Sequence, residues 1–185
     1  RVLFVSFAAP GDVADVQVNN KRRGFYEGKI VKLIKSSNLR VEPRCSHFGL
    51  CGGCKWQHLD YESQKIFKEK QVKDSLDRIA KVNYQGILPI IGSRNPYFYR
   101  NKLEFTFSHR RWLTDLDIPK SEGGPQDTRG LGFHLSGMFD KILDIDDCYL
   151  QAEPSNEIRL SIKDFAIGNG LSFWDVHEQH GLLRN

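Results

Sequence analysis

Four cysteines carry the chemistry this sequence can offer. Cys45, Cys51 and Cys54 form a C-x5-C-x2-C cluster, and Cys148 stands far downstream. A disulfide framework suits a secreted chain. Nothing here marks one, and a cytoplasmic protein keeps its thiols reduced. Four unrelated buried thiols do not explain three within ten residues, interleaved with glycines. Metal binding remains, since thiolates select zinc or iron–sulfur clusters. Structural zinc sites usually pair their ligands two and two. Three close ligands and one remote cysteine resemble cluster ferredoxins instead. Gly49, Gly52 and Gly53 let the backbone fold tightly and aim N–H groups at sulfur. The spacing favours a cluster, expected as 4Fe-4S, while a two-iron cluster and zinc both stay open. His47 and His58 flank the motif, and both read as groups supporting the ligands or facing a binding partner.

The elements that must hold these thiols read as α+β. Residues 1–40 look like short strands, with a turn at Ala9-Pro10-Gly11-Asp12 and a basic turn from Asn19 to Gly24. That suits a partial small β-barrel, with too few strands to close. A mixed α+β central domain built round the cluster is expected over 41–185. Tyr61 to Lys81 reads as a helix, with Val72, Leu76 and Ile79 on one face. Asn101 to His109 reads as a strand with Leu103, Phe105 and Phe107 on its apolar side. Leu113 to Thr128 reads as a mobile loop. Leu131–Leu135 and Phe139–Ile145 read as a hairpin about Ser136-Gly137. A helix follows Pro154, its apolar stripe being Ile158, Ile162, Phe165 and Ala166, and Gly168-Asn169-Gly170 stops it. Leu171 to Val176 reads as a strand.

The chain has 185 residues, a net charge of +4 and 39% hydrophobic residues, enough for a packed core. No apolar run is long enough to span a membrane. The absence of a signal peptide and of an initiator methionine suggests a piece of a larger protein. The charge is uneven. From Lys21 to Arg44 eight basic residues face two acidic ones, while from Asp140 to Glu157 six acidic residues face one lysine. The basic quarter suits a phosphate backbone, although such a run is also an ordinary solvated face. The candidate RNA contacts are Lys21, Arg22 and Arg23 on the basic turn, Arg100 and Lys102 beside the Leu103 strand, and His134 on the hairpin. Trp56, Trp112 and Trp174 could stack on bases, though burial is the commoner fate of tryptophan. Asp144, Asp146 and Asp147 read as solvated charge.

The stretch from Cys45 to His58 resembles the cluster motif of the 23S ribosomal RNA (uracil-5-)-methyltransferase family. Ala9-Pro10-Gly11-Asp12 resembles the later part of that family's TRAM domain. Tyr99 to Phe105 resembles a strand of its central domain. Gly132-Phe133-His134 through Ile145-Asp146-Asp147-Cys148 resembles the hairpin bearing the fourth cluster ligand. The resemblance implies a 4Fe-4S cluster on the four cysteines, a ribosomal RNA partner, and S-adenosylmethionine as methyl donor in the full-length enzyme. It implies attack of a cysteine on carbon 6 of a flipped-out uracil, methyl transfer to carbon 5 and removal of the carbon 5 proton. No doubly wound domain fits after Gly170. All four cysteines are committed to the cluster, so no catalytic residue is assigned and this chain alone is expected to be inactive. A monomer is expected.

Overall fold

The computed structural model describes residues 1–114 and 127–185. Most of the loop expected over Leu113–Thr128 lies outside the described residues. The fold is α+β, with two sheets and two α-helices among the described residues. No helix there is long and apolar enough to cross a membrane. The chain divides into two compact units that do not meet at a single cut near residue 40. One comprises Arg1–Arg44 and Trp56–Pro96, the other Cys45–Lys55 and Tyr97–Asn185.

In the first unit, β1 (Val2–Ser6), β2 (Val13–Lys21) and β3 (Phe25–Lys35) form an open sheet in the order β1-β3-β2. Strand β3 runs parallel to β1 and antiparallel to β2, whose register is broken by irregularities at three points. Three strands do not close a barrel, and Phe4, Val31 and Ile34 stay exposed as a result. The Ala9–Asp12 turn is present. Asp12 accepts from the Ala9 and Ser37 N–H groups, and Arg40 grips its carboxylate with contacts of 2.7–3.2 Å. Gly11 takes φ +94°, which an L side chain rarely adopts.

Helix α1 spans Tyr61–Asp74, capped by the Asp60 carboxylate on the Ser63 N–H, and continues as a π-helical stretch to Ala80. Lys81, left-handed at φ +51°, ends it. The expected extent is met, but Val72 and Ile79 on the expected core face are exposed.

In the second unit, β4 (Thr106–Ser108), β5 (Arg111–Trp112), β6 (Gly130–His134) and β7 (Ile142–Asp144) form a sheet ordered β4-β6-β7-β5. The hairpin is the β6–β7 pair, Phe133 opposite Leu143. Of the strand expected from Asn101 to His109, only Thr106–Ser108 pairs in a ladder, although Leu103, Phe105 and Phe107 all face the core. Leu171–Val176 carries isolated bridges instead of a strand.

Helix α2 (Ser155–Gly168) follows Pro154 as expected, but faces differently. It buries Asn156, Arg159 and Ala166, while Ile158, Ile162 and Phe165 are exposed. The hairpin below presents carbonyls at Ile145, Asp146 and Leu131 that need donors, and Arg159 supplies them.

Candidate metal centre

The cysteine segment folds as consecutive turns. The Cys45 carbonyl accepts the Phe48 N–H at 3.1 Å, and the His47 carbonyl accepts the Cys51 N–H at 3.0 Å. Gly49 adopts φ +95° between them. The segment then docks on the hairpin. Cys51 bridges Leu135, the Gly52 N–H donates to the His134 carbonyl at 2.9 Å, and the Ser136 N–H donates to the Leu50 carbonyl. A Cβ on Gly52 would lie 2.8 Å from the His134 oxygen, so glycine is what permits this approach. Lys55 Nζ reaches Ser136 Oγ at 2.8 Å. His47 supports the segment as expected, its Nε2 accepting the Asp146 N–H at 3.1 Å. His58 falls in the other unit, buried beside Phe7, and burial pushes its imidazole below the usual range.

This docking brings the early cysteines to Cys148. All four thiols lie in the same unit and none is in a disulfide. Cys148 is buried with Leu135, Leu143 and Ile145, and Cys51 packs against that cluster. Burial is the main force pushing the Cys51 thiol up to about 11, and the charges of Cys54, Cys45 and Cys148 add to it. Burial likewise raises Cys45 and Cys148, and each feels Cys54. Backbone N–H groups work the other way: His47 and Phe48 on Cys45, Gly53 on Cys51 at 3.4 Å, and Leu150 on Cys148. Cys45, Cys51 and Cys148 thus each combine burial, which opposes the thiolate, with a backbone N–H donor that favours it. Among the described residues, no three His, Cys, Asp or Glu side chains are grouped tightly enough to hold one metal ion.

Two residues that the sequence did not single out fix Cys148. The Asn156 Oδ1 accepts the Cys148 N–H at 2.9 Å, and the Asn156 amide returns a bond to the Cys148 carbonyl. Arg159 lies one turn further along α2. An asparagine two residues after Pro154 was the only available hint. Asp144 is no solvated charge: it pairs with Lys163 and accepts the Leu131 N–H at 2.9 Å.

The candidate RNA contacts lie at the surface in both units. In the first, Lys21 ends β2, and Arg22 and Arg23 form the exposed turn into β3. In the second, Arg100, Lys102 and His134 are exposed. Arg100 lies 6.0 Å from the Tyr99 ring and lines a groove of about 870 Å³ floored by Leu103, Phe105 and Ile158. Trp112 is exposed, while Trp174 is half-buried with Arg184 over its ring.

No family model matches the chain. An uncharacterized RNA methyltransferase of Porphyromonas gingivalis is 49% identical over 99% of the chain, and one of Bacteroides thetaiotaomicron is 46% identical over all of it. One of Chlorobaculum tepidum is 38% identical, again over the whole chain. Among solved structures, the tRNA (uracil-54, C5)-methyltransferase of Pyrococcus abyssi, in complex with S-adenosyl-L-homocysteine, matches 98% of the chain with TM-score 0.58 and 28% identity. Over its whole length the chain is thus similar to one part of proteins named RNA methyltransferases. It spans about 40% of the length of these relatives and 36% of the solved chain.

Proposed function

We propose that the chain is the RNA-binding, iron–sulfur-holding part of an S-adenosylmethionine-dependent 23S ribosomal RNA (uracil-5-)-methyltransferase. The observation that carries this reading is that Cys45, Cys51, Cys54 and Cys148 all lie in one unit of a chain whose relatives are RNA methyltransferases. These four residues would hold a 4Fe-4S cluster. When bound, it supplies iron–thiolate bonds joining the cysteine segment to the hairpin, and a one-electron couple. The basic turn at Lys21, Arg22 and Arg23 and the surface at Arg100, Lys102 and His134 bind the RNA backbone and unpaired bases. On this reading the methyl donor and the uracil nucleophile belong to a part of the full-length protein outside these 185 residues.

A second reading exchanges ribosomal for transfer RNA, and the solved relative's tRNA substrate favours it. Anaerobic purification tests the cluster through iron and sulfide per chain. A colourless protein with one zinc would sink it. Salt-titrated binding to 23S fragments and to tRNA separates the two RNAs. Equal, weak binding to both leaves neither reading standing. The 185 residues alone are expected to transfer no methyl group from S-adenosylmethionine.

A further inference from the structure

From Gln64 to Thr106 not one residue is buried. The stretch is far from polar. Ile79 at the end of the π-helical turn is 81% exposed, and Leu88 and Ile91 beyond it are 88% and 96% exposed. Ile66 and Val72 on α1 are exposed as well. The chain here is nonetheless held in place. The Tyr84 hydroxyl donates to Asp77 at 2.6 Å, the Ile90 N–H to Glu69 at 2.9 Å, and the Ser93 N–H to the Tyr61 hydroxyl at 2.6 Å. The three residues from Ile90 to Ser93 therefore lay about 10 Å of chain beside the eight helical residues from Glu69 back to Tyr61, about 12 Å. The segment runs extended and antiparallel to α1, and each of these clamps is polar and exposed.

A helix of this length gains most of its stability in water by packing an apolar face. Scattered apolar residues on a surface are ordinary, but such a concentration on one helix and the segment clamped to it marks a contact surface. Its apolar character suits protein and not a phosphate backbone. The chain spans about 40% of the length of its relatives from Porphyromonas gingivalis and Bacteroides thetaiotaomicron. A further part of the same polypeptide would meet this surface at the effective concentration of a tether, about millimolar for a short flexible linker, which favours it over a second copy of the chain. We infer that α1 and the segment after it form a docking face, covered by an apolar surface of the full-length protein outside these 185 residues. The inference rests on the reading above only in taking these residues as part of a longer protein. It does not depend on the cysteines or on the RNA.

Hydroxyl-radical footprinting of the intact full-length protein, read by mass spectrometry, tests it. Ile79, Leu88 and Ile91 should lose most of their labelling relative to a synthetic peptide of residues 78–93, in a monomeric sample free of RNA. The double variant Leu88→Asp, Ile91→Asp should restore the labelling of Ile79 and expose apolar side chains outside the 185 residues, while β6 and β7 label as in wild type. Labelling of the wild type at the peptide's rate overturns the inference. Protection that needs added RNA also overturns it, as does protection that grows only as concentration drives dimers. A double variant labelled like wild type throughout overturns it too. If that variant aggregates, the wild-type labelling at low concentration decides alone. An intact natural protein with the mass of these residues only defeats the reading of a longer protein, and is told apart before any labelling.

Discussion

His47 Nε2 accepts the Asp146 backbone N–H at 3.1 Å, joining residues about a hundred positions apart. Each is two residues from a cysteine: His47 follows Cys45, and Asp146 precedes Cys148. One imidazole thus locks the register between the segment bearing three thiols and the hairpin bearing the fourth. Around it lie the Gly52–His134 and Ser136–Leu50 bonds, so the approach is held by backbone contacts and by any group bound to the cysteines together.

Cys148→Ser should lose most of the iron. A serine keeps the bond to Asn156 and nearly the same volume, so packing alone would tolerate it. The loss isolates the ligand role. Iron and sulfide analysis reads it, and a variant retaining wild-type iron would remove Cys148 from the ligand set.

Gly52→Ala should destabilise the second unit by about 1–3 kcal/mol, through overpacking and the strained bond to His134. Gly53→Ala should cost far less, because its Cβ would meet Cys51 Sγ at an ordinary 3.4 Å. Denaturant midpoints of the two variants compare them, and equal losses would contradict the backbone approach.

Asp12→Asn should cost about 2 kcal/mol near neutral pH, since the bonds to Arg40 are charge-assisted. The Arg40 guanidinium holds the Asp12 carboxyl well below its ordinary value of 3.8. The folded state thus favours the ionised form, and the stabilisation is complete above that value. It fades as pH falls below about 4, where the unfolded chain takes up its proton first. Urea unfolding of both proteins across this range should show the gap narrowing towards acid. A gap that widens there would reverse the sign.

Replacing Lys21, Arg22 and Arg23 together by alanine should weaken RNA binding without lowering the melting temperature, because all three are exposed. The dependence of log K on log salt should flatten by about 2 for single strands. Filter binding at several salt concentrations measures the slope. An unchanged slope would take the turn out of the RNA surface.

Much of this was legible in local pattern. The α1 limits, the β6–β7 hairpin and the α2 stop follow from capping residues, alternation and glycine punctuation, which act over a few residues. The facing of α2 did not. Ile158, Ile162 and Phe165 form the better apolar stripe, yet the helix buries Arg159 because carbonyls from distant segments lie beneath it. Periodicity carries no information about unpaired acceptors elsewhere in the chain. The Asn101–His109 alternation marked the core side of Leu103, Phe105 and Phe107. Ladder pairing was set by the three residues β6 offers as partners. The division into units was hidden for a similar reason, since Cys45–Lys55 leaves the company of its sequence neighbours.

That excursion of the chain gives the protein a history during synthesis. Cys54 emerges roughly 90 residues before Cys148. At about 5–20 residues per second, the first three thiols wait on the order of 5–20 s for the hairpin that buries their fourth companion. For that interval the nascent polypeptide carries three thiols without the hairpin packing that later shelters Cys51, and oxidants can reach them until the late strand pair arrives.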